Sequence, residues 1–362
     1  MTGLAALART WLAANVPAQP LPPMDTEAGF AAHRAWEHRL AEARLSTVSW
    51  PAAYGGRDAS VREWLAVEQE YWAAGAPARV SGNGIALLGS TLLTHGTVEQ
   101  RARILPVMSR ADEIWAQAWS EPEAGSDLAA VRATATRTDG GWLLSGQKTW
   151  SSRAAFADRA FGLFRSGPRR HHGLTYLMFD LRAPGVTVRP VTQLNGTPGF
   201  AEIFLDDVFV PAEDVIGEPG DGWRIAMSTA GNERGLTLRS PGRFLATAAR
   251  LLDLWRTRPD PALRDDVVDA WIGARAYHLH TLAGLEDGEP GAESSLTKVF
   301  WSELDLAMHE TALTLLGADA ELDPRWRDAH LFAMAGPIYA GTNEIQRNVI
   351  AERLLGLPRE RR

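Results

Sequence analysis

The chain of 362 residues contains no cysteine, and this absence excludes several kinds of site. Without a thiol there is no disulfide, no cysteine nucleophile and no metal site with cysteine ligands. Long hydrophobic runs are lacking too, since no stretch approaches the roughly 18 apolar residues of a membrane span. The N-terminal segment has helical spacing but neither a charged start nor an uninterrupted apolar core, so we expect no signal peptide. A cytoplasmic location is the resulting expectation.

Positive charge is also scarce. Lysine and arginine number 37 against 44 acidic residues, which gives a formal net charge of -7. This balance, and the lack of a basic cluster suited to a phosphate backbone, argue against nucleic acid as a partner. A small anionic ligand is still compatible with the net charge, because a local pocket can oppose it. With 45% hydrophobic and 22% charged residues, the composition is that of an ordinary globular protein.

The hydrophobic spacing changes twice along the chain and predicts three domains. Residues 1–113 have helical spacing, residues 114–216 alternate as strands do, and residues 217–362 return to helical spacing. A hairpin signal, Asp139-Gly140-Gly141, lies within the alternating segment. The predicted fold class is therefore α+β, with an N-terminal helical domain, a central antiparallel β-barrel or sandwich, and a C-terminal helical bundle.

Individual elements are predicted from the same spacing. Strands are expected on both sides of the hairpin signal, in VRATATRT (131–138) and WLLSGQKTW (142–150). The further expected strands are 159–164, 174–180, 186–191 and 201–210. The expected helices are 28–43, 61–75, 98–108, 223–239, 243–256, 261–285, 293–316 and 343–354. Thr97 is expected to be the N-cap of the helix that begins at residue 98.

Two polar blocks lie near the start of the β-segment. The first, Ser120 to Asp127, has a composition that suits a loop with backbone N–H groups and hydroxyls facing a ligand. The second, Gly146 to Arg153, places Trp150 two residues before Ser152. On a regular strand these two share a face, so that an indole and a hydroxyl could meet one flat ring. The pattern is equally compatible with a surface loop followed by an ordinary strand.

The sequence does not contain the motifs of several other enzyme classes with the residue spacing that those motifs require. The Gly-x-Gly at residues 82–84 follows no strand and does not match a dinucleotide signature. His309-Glu310 begins like a zinc-protease motif, but Leu313 stands where the second histidine would be. A Walker phosphate loop and a hydrolase Gly-x-Ser-x-Gly are both missing from the sequence. Hydrolase and nucleoside-triphosphatase functions are therefore disfavoured, and no metal is expected.

Five further stretches follow one another in a specific order. They are WPAAYGG (50–56), WSEPEAGSD (119–127), SGQKTWSS (145–152), FLDDVFVPAEDVIGEPGDGW (204–223) and IYAGTNEIQRNVIAERLLGLPR (338–359). Together they resemble the acyl-CoA dehydrogenase flavoprotein family. The resemblance implies FAD held between the β-domain and the C-terminal bundle, with an acyl thioester lying against the flavin.

The resemblance also implies which residues contact the cofactor. A flavin ring needs a flat apolar neighbour and a few donors that tune its electron affinity. Trp150 is expected to pack on the isoalloxazine, and Ser152 to hydrogen-bond near its reactive nitrogen. Ser126 is expected at the FAD pyrophosphate or the neighbouring part of the thioester. The other implied positions are Gln117, Trp119 and Ser120 along the ring, and Thr342 and Glu344 in the tail.

The implied reaction is α,β-dehydrogenation, in which a carboxylate removes the proton beside the thioester carbonyl while a hydride passes to the flavin. In many family members that carboxylate directly precedes the Gly-Thr of the tail motif, but this sequence has Ala340 there. The branch that includes isovaleryl-CoA dehydrogenase takes its base from the first long helix after the β-domain. At the matching place this sequence has Glu233, expected to be the base, beside Arg234, which could orient it or balance its charge. Glu121 and Glu123 are expected to be structural.

Two segments that complete a neighbour's FAD site in the family depart from its pattern. Arg-x-x-Phe-Gly is not evident, and residues 314–320 replace Gln-x-x-Gly-Gly-x-Gly. The chain is similar to actinobacterial members that form mixed tetramers, which implies a homo-oligomer or a hetero-oligomer with a related subunit. The expected partners are an acyl thioester of CoA or acyl carrier protein, and electron-transfer flavoprotein or a similar acceptor. The alternatives are a flavin monooxygenase or oxidase on the same fold, or a catalytically silent subunit that completes a partner's FAD pocket.

Overall fold

The computed structural model describes residues 3–234, 240–286 and 291–359. For residues 231–234 and 286 it describes the backbone and not the side chains. The helices before the β-segment are α1 (Gly3–Asn15), α2 (Glu27–Glu42), α3 (Val61–Ala73), α4 (Ser90–His95) and α5 (Val98–Ser109). A π-helical turn, Gly84–Gly89, leads into α4.

Local capping sets where two of these helices begin. The hydroxyl of Ser60 accepts a hydrogen bond from the N–H of Glu63, and the Glu63 carboxylate accepts one from the N–H of Ser60. Thr97 and Gln100 form the same reciprocal pair at the start of α5, which confirms Thr97 as its N-cap. Each box satisfies N–H groups that have no partner within the helix.

The β-segment forms one sheet. Its strands are β1 (Trp115–Ala118), β2 (Thr134–Thr138), β3 (Gly141–Ser152), β4 (Arg159–Arg165), β5 (Leu174–Asp180), β6 (Val186–Val191), β7 (Phe200–Pro211) and β8 (Val215–Ile216). The strand order is β6-β7-β3-β2-β4-β5-β8, and β1 pairs with β4. Most neighbours are antiparallel, as predicted, whereas β4 pairs parallel with both β1 and β2.

The predicted strands agree closely with the observed ones. The predicted strands 174–180 and 186–191 coincide with β5 and β6, and the predicted strands 159–164 and 201–210 differ from β4 and β7 by at most one residue at an end. The strands predicted at 131–138 and 142–150 differ from β2 and β3 by up to three residues at an end. The hairpin expected at Asp139-Gly140-Gly141 joins β2 to β3, with Gly140 at a φ of 73°. The prediction did not resolve β1, because four residues are too few to show a period of two.

The helices after the sheet are α6 (Gly222–Arg234), α7 (Pro241–Thr257), α8 (Arg264–Ala283), α9 (Glu293–Leu316), α10 (Pro324–Ala333) and α11 (Asn343–Val349). The helix predicted at 343–354 begins as predicted and continues from α11 as a π-helical turn, Ile350–Leu354. The helix predicted at 223–239 is described as far as Arg234, and its last five residues lie outside the described part. Helix α10 was missed, although Asp323 caps it and Pro324 occupies its first position.

The chain divides into two compact units that do not follow chain order. One, the helical unit, contains Met1–Val16, Ser60–Ala76 and Glu233–Arg362. The other, the sheet unit, contains Pro17–Ala59 and Pro77–Asn232. Helices α1 and α3 therefore belong with the C-terminal helices, and α3 packs on α7. The domain boundaries at residues 113 and 216 remain a prediction.

An aromatic core and one buried ion pair hold the helical unit together. Trp301 of α9 and Phe244 of α7 are both fully buried. Next to Phe244, Arg243 donates to the buried carboxylate of Asp305. Burial opposes the charge of Arg243, but Asp305 and Tyr339 outweigh it and raise the pKa of the guanidinium.

We predict that Trp301→Ala lowers the free energy of unfolding by about 3–5 kcal/mol, because it empties a buried aromatic volume. Trp271→Ala on α8, where the indole is 49% exposed, is the matched control and should cost less than about 1 kcal/mol. Urea unfolding followed by circular dichroism compares the two variants. Similar losses in both would contradict the assignment of Trp301 to the core.

Candidate active site

The carboxylate of Glu121 stabilises the polar loop that begins at Ser120. This carboxylate accepts hydrogen bonds from the backbone N–H of Arg132 at 2.6 Å and of Ala133 at 3.0 Å. It also pairs with the ammonium group of Lys148 at 2.7 Å. Both charged residues are buried, so the pair fixes the loop to strand β3.

Lys148 is an unusual residue for the interior, since its side chain is 0% exposed. Burial lowers its pKa to about 8, and Glu121 opposes that shift. The ammonium group also donates to the carbonyl of Leu163 at 2.6 Å and lies 4.7 Å from the ring centroid of Phe164. These partners compensate part of the desolvation that a buried cation suffers.

The structure brings the two polar blocks of the sequence together. The backbone N–H of Thr149 donates to the carbonyl of Ser120 at 2.9 Å. Gln117 lies on β1, which runs parallel to β4, and Trp119 follows directly after that strand. The predicted residues Gln117, Trp119 and Ser120 therefore lie beside the strand that carries Trp150 and Ser152.

Several of these residues keep unused hydrogen-bonding capacity. The side chains of Gln117, Ser120 and Ser152 are partly exposed and make no hydrogen bond to another described residue. The indole nitrogen of Trp119 is buried and has no partner among the described residues. A buried donor without a partner is costly unless a ligand satisfies it. The four residues thus suit a polar, planar ligand.

Trp150 departs from the regular strand that its spacing predicted. Its φ is 58°, and the register of β3 against β7 shifts between Lys148 and Ser151. The expectation of simple alternation is therefore wrong at this point, because a bulge interrupts the pleat. The bulge leaves the indole 61% exposed, with its edge against Phe200 at 5.7 Å and 83°. An exposed, backbone-fixed indole is suited to stack on a flat ring.

Ser126 lies at the exposed end of the loop. Its neighbour Asp127 is held by Arg170, with 2.6 Å from one guanidinium nitrogen to each carboxylate oxygen. The hydroxyl of Ser126 makes no hydrogen bond to a described residue.

The tail residues lie in the helical unit at the start of α11. Thr342 is the N-cap, and its hydroxyl oxygen accepts from the N–H of Ile345 at 3.3 Å. Glu344 is exposed in the first turn, where its own backbone N–H and the Thr342 hydroxyl lower its pKa. Ala340, two residues before the cap, has a φ of 57° and a methyl side chain that accepts no proton.

Buried polar residues that the sequence did not single out support this turn. Lys298 and Ser302 of α9 donate to the side-chain oxygen of Asn343 at 2.7 Å and 3.1 Å. The side-chain amide of Gln346 donates to the carbonyl of Ala340 at 3.2 Å. The two contacts of Asn343 join positions 45 and 41 apart, so no local sequence pattern could have revealed them.

The predicted base and its neighbour lie in the last turn of α6. The backbone of Glu233 and Arg234 is helical, and their side chains lie outside the described residues. Their assignment to the reaction therefore stays a prediction.

Comparison with known proteins identifies the family. Models of the N-terminal, middle and C-terminal domains of acyl-CoA dehydrogenases match residues 3–112, 116–208 and 220–355. The chain is 41% identical to acyl-CoA dehydrogenase IpdE1 of Mycobacterium tuberculosis, over 97% of this chain and 96% of that protein. This chain belongs to the acyl-CoA dehydrogenase family.

Solved structures show the same fold. The ChsE4-ChsE5 complex from Mycobacterium tuberculosis superposes with a TM-score of 0.84 and 26% identity, covering 99% of this chain and 97% of that one. The Tcur3481-Tcur3483 steroid acyl-CoA dehydrogenase gives a TM-score of 0.86 at 24% identity, with 99% and 97% coverage. The predicted order of helical, β and helical parts is confirmed.

Membership of this family establishes the class of reaction. The chain is a flavin-dependent oxidoreductase that acts on acyl thioesters, as the resemblance implied. Among the described residues, no helix is both long enough and apolar enough to cross a bilayer.

We predict that Glu121→Gln lowers the free energy of unfolding by about 3–5 kcal/mol at pH 7, because it leaves the Lys148 ammonium buried beside a neutral amide. The native pKa of Lys148, already about 8, should fall further, while the unfolded pKa stays near 10.5. The difference in unfolding free energy between the parent protein and Glu121→Gln should therefore decrease as the pH rises towards about 8, because Lys148 of the folded variant loses its proton at a lower pH than Lys148 of the folded parent.

Glu123→Gln, at an exposed position of the same loop, is the matched control. Urea unfolding at pH 6 to 9 measures both variants against the parent protein. Equal behaviour of the two variants would contradict a structural role for the buried pair.

Proposed function

We propose that this chain is an FAD-dependent dehydrogenase that introduces an α,β double bond into an acyl thioester with Glu233 as the base. The observation that carries the cofactor assignment is the group of unused polar side chains beside the exposed indole of Trp150. The three consecutive domain matches support the reaction class.

The residues of the sheet unit fit an isoalloxazine ring. Trp150 offers a flat face, Ser152 and Ser120 offer hydroxyls, and the buried indole nitrogen of Trp119 offers an unpaired donor. Such donors tune the electron affinity of a bound ring. When bound, FAD would supply the acceptor for the hydride that leaves the β-carbon. Gln117 would contact the same ring, and Ser126 the pyrophosphate or the adjoining thioester ligand.

In the tail, we assign Thr342 and Glu344 to FAD contacts. The hydroxyl of Thr342 already caps α11, so a cofactor group would meet an ordered turn. The backbone N–H groups of this turn carry partial positive charge and favour anionic or electron-rich atoms.

The choice of base follows from the residues available. Ala340 occupies the position from which many family members remove the α-proton, and it cannot accept one. Glu233 supplies a carboxylate at the alternative position, in the last turn of α6. A carboxylate near a desolvated thioester would have a raised pKa suited to proton removal, and Arg234 would balance its charge.

Replacement of the base gives the direct test. Glu233→Gln should lower kcat for desaturation by about 100- to 10,000-fold, which is the range that general-base catalysis contributes, and should leave the flavin bound. Glu310→Gln, at an exposed position of α9, is the control. Anaerobic bleaching of the flavin by straight-chain, branched and steroid acyl-CoAs measures the half-reaction. Near-parental bleaching by Glu233→Gln would refute the assignment.

The stacking role of Trp150 is tested separately. Trp150→Ala should weaken FAD binding by about tenfold, which corresponds to about 1.4 kcal/mol of aromatic contact. Its stability should change by less than about 1 kcal/mol, because the indole is largely exposed. Phe209→Ala, an exposed aromatic position of β7, is the control and should not change FAD affinity. Flavin release monitored by fluorescence compares them, and unchanged affinity in Trp150→Ala would overturn this contact.

The oligomer and the acceptor complete the proposal. In a hetero-oligomer, a related subunit would supply the FAD contacts that the family takes from a neighbour's segment at the position of residues 314–320. In a homo-oligomer, other residues of the neighbouring copy would supply them. Electron-transfer flavoprotein or a similar protein would reoxidise the flavin in the cytoplasm. The second candidate function, a silent subunit that completes a partner's site, is favoured by Ala340 and by similarity to a solved two-subunit complex. Full FAD occupancy and dehydrogenation by the purified chain alone would exclude it.

A further inference from the structure

Lysine is rare in this chain, and both of its lysines are buried. Among the 37 basic residues only Lys148 and Lys298 are lysines, and each side chain is 0% exposed. Lysine is seldom fully buried, because its charge loses the interaction with water there. Lys148 donates to the loop that begins at Ser120, and Lys298 donates to the first turn of α11. Both lysines therefore contact segments that the proposed function assigns to the cofactor.

The ammonium group of Lys298 lies inside the helical unit, between α9 and α11. It donates to the side-chain oxygen of Asn343 at 2.7 Å, and the hydroxyl of Ser302 donates to the same oxygen at 3.1 Å. The ammonium nitrogen is 5.9 Å from the ring centroid of Trp301. The backbone N–H of Asn343 donates to the carbonyl of Pro337 at 2.8 Å. Asn343 is thus held at its side chain by α9 and at its backbone by the preceding turn.

The turn before Asn343 has an unfavourable backbone conformation. Ala340 and Gly341 have positive φ values of 57° and 80°, a region that is disfavoured for alanine. The side-chain amide of Gln346 donates to the carbonyl of Ala340 at 3.2 Å. It also lies so near Gly341 that a Cβ there would be 2.4 Å from its nitrogen. Tertiary contacts therefore impose the conformation of this turn, and Thr342 follows it directly.

Asn343 lies between the two tail residues assigned to FAD. Its side chain is buried, whereas that of Thr342 is partly exposed and that of Glu344 is exposed. A displacement of Asn343 would therefore move both accessible neighbours. The charge of Lys298 also acts on this turn. The pKa of Glu344 is lowered mainly by its own backbone N–H and by the Thr342 hydroxyl, and the charge of Lys298 acts in the same direction.

We propose that Lys298 is a positioning residue for FAD: through Asn343, it holds the first turn of α11 in the conformation in which Thr342 and Glu344 contact the cofactor. This proposal rests on the proposed function and deepens it, because it adds a residue that acts on cofactor binding without touching the cofactor. An ammonium group suits this place, since it is compact and its three donors can turn towards the acceptors around it, whereas a guanidinium is planar and larger.

Flavin release from the purified holoprotein, monitored by fluorescence, tests the role of Lys298. Lys298→Met keeps the length of the side chain and removes the donor, so that the turn is ordered in a smaller fraction of molecules. We expect the Kd for FAD to rise about tenfold, as it would if that fraction fell to about a tenth. Lys298→Gln retains an N–H donor for Asn343, and its Kd should rise by only about threefold.

A double variant tests whether Lys298 acts through Asn343. Lys298→Met/Asn343→Leu removes the donor and its acceptor together, so it leaves neither of them buried without the other and should fold. Its Kd for FAD should equal that of Lys298→Met, because a residue that acts only through Asn343 has no further effect once Asn343 is replaced. Parental FAD affinity in this folded double variant would overturn the proposal.

Two controls separate positioning from general stability. Leu251→Ala removes a fully buried side chain of α7, in the same helical unit, and destabilises the protein away from the turn. Glu303→Gln removes the exposed ion pair with Arg347, which also joins α9 to α11. Both variants should keep the parental Kd for FAD within about twofold, because neither contact fixes Asn343 and exposed ion pairs contribute little. A tenfold loss in Leu251→Ala would show that Lys298 is merely structural.

Hydrogen exchange of residues 338–346 provides a readout without cofactor. In the flavin-free chain, Lys298→Met should speed exchange of these amides by about tenfold and leave α7 unchanged, since local opening can occur without global unfolding. Unchanged exchange would overturn the proposal. A parent protein that binds FAD but desaturates no thioester would count against the proposed function alone, because neither flavin release nor hydrogen exchange requires turnover.

Discussion

The ion pair between Glu121 and Lys148 is the interaction on which the polar loop of the sheet unit depends. It joins a loop to a strand 27 positions later, and the same carboxylate accepts two backbone N–H groups of the chain that leads into β2. A buried pair of this kind adds little net stability compared with apolar packing, but removal of one partner is costly. Its main effect is to give the loop one conformation, which places Ser120 against Thr149.

Strand and helix bounds could be predicted most accurately where the hydrophobic spacing repeats along the whole element. The predicted strands 174–180 and 186–191 and the predicted helix 293–316 coincide with observed elements, because six or more consecutive residues share one kind of spacing. The segment around Trp150 was predicted as a regular strand, and a bulge interrupts it there. Bulges depend on pairing with a distant strand, here β7, which no local pattern reports.

The candidate site shows the same division between local and distant information. Motifs identified Gln117, Trp119, Ser120, Trp150 and Ser152, and the structure places them on neighbouring segments of one sheet. Lys148, which supports the loop at Ser120, and Lys298, which supports the turn at Asn343, were not foreseen, because both look like ordinary surface lysines in a sequence. Only their partners, 27 and 45 positions away, make burial of their charges tolerable. Each of the two compact units combines separated parts of the chain, and the amino-acid composition does not predict this either.

The backbone at Trp150 has a consequence for how this protein can change. A bulky residue in the left-handed region stores on the order of 1–3 kcal/mol of strain, which glycine at the same position would release. Selection for stability alone would therefore replace the tryptophan, and selection for a cofactor platform would retain it. Under the proposed function, folding and cofactor binding thus favour different residues at position 150, and the tryptophan is kept at a cost in the stability of the protein without its cofactor.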